Sequence, residues 1–177
     1  MKKYLSVIFL ILIISTNIIS QDLKLGPNGV KEPVVFEFNL TKSEIYKKSL
    51  NWVQETYKNP KEVLRANIEN EKIRINGYAI NAWWNKSLGV KFTYNIDYTV
   101  QIEFKEGRCR FTYTIDQMYT SDGQRLLYTC KAFFKPNGDI KKSYIPSVPS
   151  LEKTINDLAI SYKNYVSGAN EKNEDNW

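Results

Sequence analysis

Apolar and polar residues alternate through the middle of the chain, which is the period-2 pattern of a half-buried β-strand. Over residues 92–104 the apolar side of this pattern consists of Phe92, Tyr94, Ile96, Tyr98, Val100, Ile102 and Phe104. A second run follows Glu106-Gly107, with Cys109, Phe111, Tyr113 and Ile115 on its apolar side. If Glu106-Gly107 is a two-residue turn, every pair places both apolar side chains on one face, and a one-residue slip would break all of them. The sequence therefore predicts a hairpin over residues 89–116.

Further segments with strand-like patterns extend this hairpin into a sheet. They cover residues 33–39, 64–68, 73–84 and 126–134, with a short edge strand over 140–145. Turn-forming residues separate the strands, at Asn70-Glu71, Asp122-Gly123 and Pro136–Asp139. The phase beyond Gly77 stays open, because a regular strand buries Trp83 and exposes Tyr78 and Trp84, whereas a bulge at Gly77 does the reverse.

Two segments have helical periodicity. Thr41 and Glu44 have the spacing of a capping box. The buried stripe that follows consists of Ile45, Ser49, Trp52, Val53 and Thr56. This helix is expected to end before Asn59-Pro60, because the residue before a proline disfavours helical geometry. In the second helix Ser150 is the predicted cap and Gly168 the predicted end.

These elements predict an α+β fold. The expected architecture is an antiparallel meander sheet of five to seven strands with two helices packed on its apolar face, in the order strand, helix, four to six strands, helix. Residues 33–168 would form this single domain. Residues 21–32, rich in glycine and proline, predict a flexible lead-in, and residues 169–177 predict a polar tail.

The first twenty residues have the layout of a secretory signal peptide. Lys2 and Lys3 precede an apolar run from Leu5 to Ile14, and Ser20 is a small residue suited to cleavage. The alternative is an uncleaved membrane anchor, but the run is shorter than the ~20 apolar residues of a membrane span. We therefore expect an exported protein of the periplasm or cell surface, cleaved after Ser20, whose mature chain has no transmembrane span.

Composition narrows the possible chemistry. The chain has 25 basic and 19 acidic residues, and the modest excess is spread along the sequence. This distribution indicates a solvated surface more than a site for polyanions. There is no histidine, which excludes Ser-His-Asp and Cys-His catalysis and any His-ligated metal. No glycine-rich phosphate loop is present, and we expect no cofactor.

Cys109 and Cys130 would reach a compartment where a disulfide persists. With the turn at Asp122-Gly123, their sulfur atoms lie roughly 20 Å apart along adjacent strands, too far to bridge. A turn centred on Tyr119-Thr120 would instead bring them together. Because Asp-Gly is the better turn sequence, we expect two free, buried thiols.

The segment order resembles a bacterial domain-of-unknown-function family, whose members are exported proteins with a TATA-binding-protein-like (TBP-like) fold. The resemblance covers residues 33–120. It depends on Ser43 and Tyr46 at the helix start, Trp52, the Ile75–Gly77 strand and the turn Lys105–Arg108 with the aromatic strand after it. The family usually has Asp-Gly in that turn and an aromatic residue at the position of Cys109. The resemblance implies a fold and export, and carries over no functional residue.

Two sets of residues are candidate sites. Tyr78, Trp83 and Trp84 form an aromatic edge, because two adjacent tryptophans cannot both point inward from a regular strand, and an exposed ring can stack on a sugar, a peptide or a protein. Asp97 is expected opposite Asp116, where paired carboxylates could bind Ca²⁺ or act as acid and base. The simpler interpretation of that pair is two solvated carboxylates, and Glu103 with Arg110 predicts a cross-strand ion pair.

The sequence therefore favours a non-enzymatic binding or interaction module that recognises a protein, peptide or glycan. The alternatives are a metal-assisted hydrolase built on Asp97 and Asp116, or a structural component of the envelope. Nucleic acid is not an expected partner, because Tyr94, Tyr98 and Tyr113 lie on the face that the helices should cover, and export removes the protein from the chromosome.

Overall fold

The computed structural model describes residues 22–169, and its main feature is a five-stranded antiparallel sheet. In chain order the elements are β1 (Leu25–Gly26), β2 (Gly29–Val30), β3 (Val34–Glu37), α1 (Lys42–Thr56), α2 (Pro60–Val63), β4 (Leu64–Ile68), β5 (Lys72–Ser87), β6 (Val90–Lys105), β7 (Arg108–Thr120) and α3 (Ser147–Ser167). The sheet has the order β3-β7-β6-β5-β4, and β1 pairs with β2 in a separate small hairpin. The predicted α+β fold is confirmed, with five strands in the sheet.

The central hairpin has the register that the alternating pattern predicts. Phe104 pairs with Cys109 and Ile102 with Phe111, on either side of the turn at Glu106-Gly107. Gly107 has a φ of +68°, a conformation that glycine adopts without steric cost. The inward side chains of this hairpin are buried from Ile96 to Tyr113, and Ile115 is half-buried, so the hairpin forms one side of the core.

Both long helices pack on the apolar face of the sheet. The capping box of α1 is present, with Thr41 and Glu44 bonding to each other's backbone and side chain. α3 begins at Ser147, earlier than the predicted cap, because Pro149 is tolerated in a first helical turn. Ser150 instead accepts a hydrogen bond from the backbone N–H of Trp84 at 3.2 Å, which ties α3 to β5.

A buried hydroxyl network joins the two helices to the sheet. The Tyr162 hydroxyl of α3 lies 2.8 Å from the Ser49 hydroxyl of α1 and 3.3 Å from the Cys109 sulfur of β7. Ser49 donates in addition to the Ile45 carbonyl at 2.7 Å. The network therefore links one residue from each of three packed elements inside the core.

β5 keeps its phase past Gly77 and bulges three residues later. Ala79 pairs with Ile96 and Trp83 with Tyr94, so β5 uses two more residues than β6 over this interval. A backbone group that the bulge frees has a side-chain partner: Oδ1 of Asn95 accepts a hydrogen bond from the backbone N–H of Asn81 at 2.8 Å. Because an even number of residues is inserted, Trp83 still points inward.

The predicted strand over residues 126–134 does not form. Asp122-Gly123 does reverse the chain, and the Leu126 N–H bonds to the Met118 carbonyl, but the chain then leaves the sheet for a 3-10 turn at Cys130–Phe133. Phe133 and Phe134 are both buried. A half-exposed strand would bury only one of two adjacent residues, which explains the irregular turn.

The predicted edge strand over residues 140–145 is also absent. Ile140 makes a single bridge to Phe134, and a 3-10 turn follows at Lys142–Tyr144. Cys130 therefore lies in a turn and Cys109 on β7, and the structure has both as free, buried thiols.

The segment predicted as a flexible lead-in is folded onto α3 from residue 22 onward. Leu23 and Leu25 are buried. The side-chain amide of Asn156 accepts from the Leu23 N–H at 2.8 Å and donates to the Leu23 carbonyl at 3.0 Å, as a neighbouring strand would. The lead-in is buried because apolar residues alternate at positions 23 and 25, a pattern that the nearby glycines and proline obscure in the sequence. The signal peptide over residues 1–20 and most of the predicted tail lie outside the described residues.

Candidate functional site

The side of the sheet opposite the two long helices is the candidate binding surface. We define the open face as the outward-pointing side chains of β5, β6 and β7. Most of them are half-buried or exposed, and within residues 22–169 neither long helix packs against them. The sheet therefore presents a surface made of side chains, whose backbone groups are engaged in the strand ladder.

One cleft on the open face brings together residues from both candidate sets. It has a volume of about 550 Å³, and we call it the open-face cleft. Its polar lining consists of Glu62, Arg65, Arg74, Asn76, Asp97, Thr99 and Asp116, with Tyr78 beside them. The volume lies within the range of small-ligand sites, roughly 300–1,000 Å³.

A β-bulge sets the positions of the two aspartates. Tyr98 pairs with Ile115 but Asp97 pairs with Gln117, which makes Asp116 the extra residue of β7. The prediction that Asp97 lies directly opposite Asp116 is therefore wrong. A bulge leaves one residue out of the ladder and redirects its side chain, and alternation alone does not reveal where this occurs.

Each aspartate has its own hydroxyl donor. The Thr99 hydroxyl donates to Asp116 Oδ2 at 2.7 Å, and the Tyr119 hydroxyl donates to Asp97 Oδ2 at 2.5 Å. The hydrogen bond to Asp97 raises the pKa of Tyr119, because the bond exists only while the hydroxyl keeps its proton. Both carboxylates are thereby oriented while further lone pairs remain available to a ligand.

The cleft has charges of both signs, with one acidic residue in excess. Arg65 and Arg74 face the same cleft as Glu62, Asp97 and Asp116, yet none of the five belongs to a salt bridge within residues 22–169. By contrast, the predicted ion pair on the same face is present, with Arg110 Nη2 2.6 Å from Glu103 Oε2. The cleft thus offers two cationic and three anionic groups whose ionic partners are not supplied by the described chain.

Tyr78 is the exposed aromatic residue of the cleft. Its side chain is 48% exposed, and its ring meets that of Tyr119 edge-on at 5.9 Å. The Tyr119–Asp97 hydrogen bond fixes the supporting ring, which leaves the Tyr78 ring free to stack on a ligand.

The other two members of the predicted aromatic edge lie elsewhere. Trp83 is 1% exposed and stacks on Tyr94 at 3.9 Å inside the core, so it cannot contact a ligand. Trp84 is half-buried, and the Lys91 ammonium lies 5.0 Å from the centre of its ring. The predicted edge is therefore divided, because regular pairing resumes at Trp83 and Trp84 beyond the bulge, and adjacent residues of a regular segment point to opposite faces.

Metal ligands are sparse on this surface. The described part of the chain has no group of three Asp, Glu or Cys side chains placed to hold a metal ion. Tyr98 and Tyr113 are buried, with stacked rings at 4.9 Å, on the helix-covered face as expected. The cleft residues that the sequence interpretation missed are Glu62, Arg65, Arg74, Asn76 and Thr99, and it also missed Tyr119 as the donor to Asp97. Glu62 precedes β4, and Tyr119 has the apolar phase of its strand until the bulge at Asp116 changes it. The other four could have been suspected from the polar phase of their strands.

Comparison with known proteins agrees with this architecture. Residues 33–117 match the family described as a domain of unknown function (DUF4468) with TBP-like fold. This part of the chain is similar to the DUF4468 family. No curated protein matches the chain.

Two solved structures resemble this chain. A TBP-like protein from Parabacteroides distasonis has a TM-score of 0.54 at 17% identity, over 76% of this chain and 90% of that protein. A DUF4468 family protein from Bacteroides ovatus has a TM-score of 0.51 at 16% identity, over 79% of this chain and 84% of that protein. At these identities the likeness establishes the TBP-like fold alone. Within residues 22–169 no helix is long and apolar enough to cross a bilayer.

Proposed function

We propose that this protein is an exported, non-enzymatic binding module that holds an uncharged glycan in the open-face cleft. One observation carries the proposal. The exposed ring of Tyr78 lies beside a polar lining that mixes two arginines with two aspartates and Glu62, and within residues 22–169 none of these charged side chains forms a salt bridge. Such a lining favours a ligand that is neutral and rich in both donors and acceptors.

The position of the cleft favours a glycan over a peptide. β5 and β6 are interior strands, each paired on both sides, so their backbone groups are not available to a ligand. A peptide that adds to a sheet needs a free edge with unpaired N–H and C=O groups. A ligand on the open face meets side chains only, and sugars are commonly recognised in this way.

The side chains match the groups of a sugar. Asp97, Asp116 and the amide oxygen of Asn76 can accept hydrogen bonds from hydroxyls, while Arg65 and Arg74 can donate to hydroxyl and ring oxygens. The apolar face of a pyranose ring can lie on Tyr78. Because acidic residues outnumber arginines by one in the lining, the cleft would not attract a polyanion, which distinguishes the proposal from nucleic-acid binding.

Export supports the same interpretation, because the signal peptide predicted over residues 1–20 would deliver the module to the cell envelope, where glycans are abundant. The absence of histidine from the chain and the separate hydroxyl partners of Asp97 and Asp116 favour binding over hydrolysis.

The test is a glycan array with the mature chain, followed by titration calorimetry on the best ligand. We expect Tyr78→Ala and Arg74→Ala each to weaken binding by about tenfold or more, which corresponds to ~1.4 kcal/mol. Phe92→Ala is the matched control, because Phe92 is also 48% exposed but lies outside the cleft. Equal affinity of Tyr78→Ala and wild type would refute the assignment of the cleft. Hydrolysis of the ligand, or a Ca²⁺-dependent rise in Tm that Asp97→Asn removes, would favour the hydrolase instead.

A further inference from the structure

β5 and β6 extend well beyond the rest of the sheet. The last β6–β7 pair is Tyr94 with Thr120, whereas β5 and β6 continue to pair as far as Ser87 and Val90. We call residues 84–93 the arm. At strand rise it extends roughly 15 Å past the last β7 pair, and among the described residues no third strand flanks it.

The tip of the arm is apolar and exposed. Leu88 is fully exposed, Val90 is 56% exposed and Phe92 is 48% exposed. Leu88 also has a φ of +49°, in the left-handed region where a two-residue hairpin loop normally has asparagine or glycine. A leucine at this position therefore gains no burial and carries backbone strain, so the folded monomer alone does not account for it.

The charge of the arm has one sign. Lys86 and Lys91 are paired directly across the ladder, and no acidic residue occurs between Glu71 and Asp97 in the sequence. Like charges directly opposite each other destabilise a hairpin in water. An anionic surface against the arm would remove this repulsion, while the apolar tip would be withdrawn from water.

We propose that the arm docks on an anionic phospholipid bilayer. Leu88, Val90 and Phe92 enter the boundary between headgroups and acyl chains, and Lys86 and Lys91 meet the lipid phosphates. Trp84 then lies at headgroup depth, which tryptophan favours. The arrangement combines a short apolar insertion with basic residues, the two contributions that together give reversible binding at a membrane surface. Along β5 the open-face cleft lies beyond the bulge from the arm, so docking leaves it accessible.

The experiment is co-sedimentation of the mature chain with vesicles of phosphatidylcholine alone or with roughly one third phosphatidylglycerol. We expect binding to the anionic vesicles that weakens as salt is added. Lys86→Gln with Lys91→Gln should abolish the preference for phosphatidylglycerol. Ile68→Ser is the matched control, because Ile68 is 45% exposed but pairs with Lys72 at the opposite end of β5, and it should bind as wild type does.

Leu88→Asn separates docking from folding. Asparagine relieves the strain at this turn, so the variant should unfold at a higher temperature than wild type while its vesicle partition falls by about tenfold. Unchanged partition of Leu88→Asn, or no binding of wild type to anionic vesicles, would overturn the proposal. So would self-association that Leu88→Asn abolishes without any vesicle binding, since the arm would then be covered by a second copy. Tyr78→Ala should bind vesicles normally, which keeps this test independent of the glycan site.

Discussion

Gly77 is the position at which the addition of one methyl group should lower the free energy of unfolding most. Gly77 pairs with Tyr98 across the ladder, and the Tyr98 ring lies over its backbone. A Cβ at residue 77 would lie 2.8 Å from Cε2 of Tyr98 and closer still to Cζ and Oη. The ring is held in place, because it stacks on Tyr113 at 4.9 Å and its hydroxyl bonds to that of Tyr57 at 3.0 Å.

The expected loss of stability for Gly77→Ala follows from these contacts. Displacing Tyr98 sacrifices one hydrogen bond, worth about 1 kcal/mol, and one aromatic pair, worth about 1 kcal/mol. Overpacking a filled site adds about 1–3 kcal/mol. Against this, alanine lowers the entropy of the unfolded chain, a gain of about 0.4–1 kcal/mol. We therefore expect a net loss of about 3 kcal/mol in the free energy of unfolding.

Urea denaturation of the single and double variants tests this reasoning. In a Tyr98→Leu background the clashing atoms are gone, so Gly77→Ala should become neutral or slightly stabilising. Gly26→Ala is a suitable control, because its Cβ would meet only the flexible side chain of Lys31, and it should change stability by less than about 0.5 kcal/mol. If Gly77→Ala alone leaves stability unchanged, or costs as much in the Tyr98→Leu background as it does beside the tyrosine, the steric argument fails.

Three further predictions concern the core. Burial raises the pKa of Cys109 to about 12 and that of Cys130 to about 11. Above pH ~8.5 the thiols of the unfolded chain therefore lose their protons before those of the folded chain do. The free energy of unfolding should then fall by ~1.4 kcal/mol per pH unit for each thiol. Urea midpoints from pH 8 to 10 should show this decline, and Cys109→Ala should make it shallower; equal slopes would contradict it. Leu25→Ala should lower the free energy of unfolding in urea by about 3 kcal/mol. Lys24→Ala is the control, because Lys24 is exposed and its replacement should cause no loss. No loss for Leu25→Ala either would show that the lead-in is flexible. Thr154→Val removes the hydrogen bond to the Ala82 carbonyl at 2.6 Å and should lower stability by about 1–2 kcal/mol, whereas an unchanged urea midpoint would show that this bond does not hold the bulge.

The sequence predicted the fold best where local signals are dense. Alternation and a glycine turn determined the β6–β7 register near Glu106-Gly107. The same type of signal failed over residues 126–134, because the pattern cannot show that both Phe133 and Phe134 are buried. It failed again for residues 22–32, whose partner is Asn156, more than a hundred residues away.

The candidate site was only partly predictable for a related reason. Tyr78, Asp97 and Asp116 were recognised as polar-face or edge residues, but their grouping in one cleft depends on the bulge beside Tyr98. The second bulge, in β5, is held by side chains from distant segments, such as Asn95 and Thr154. Such contacts exist only once the sheet and α3 have met, so periodicity along a single strand does not contain them.

The hydroxyl of Tyr162 has a consequence for how the domain opens. It contacts the Ser49 hydroxyl on α1 and the Cys109 sulfur on β7 at once. Detaching either helix would therefore leave buried polar groups without hydrogen-bond partners. The helix layer and the sheet should consequently melt in a single concerted transition. A ligand in the open-face cleft would then stabilise α1 against unfolding as well. The fluorescence of Trp52, which lies on α1 on the opposite side of the sheet, would report this stabilisation.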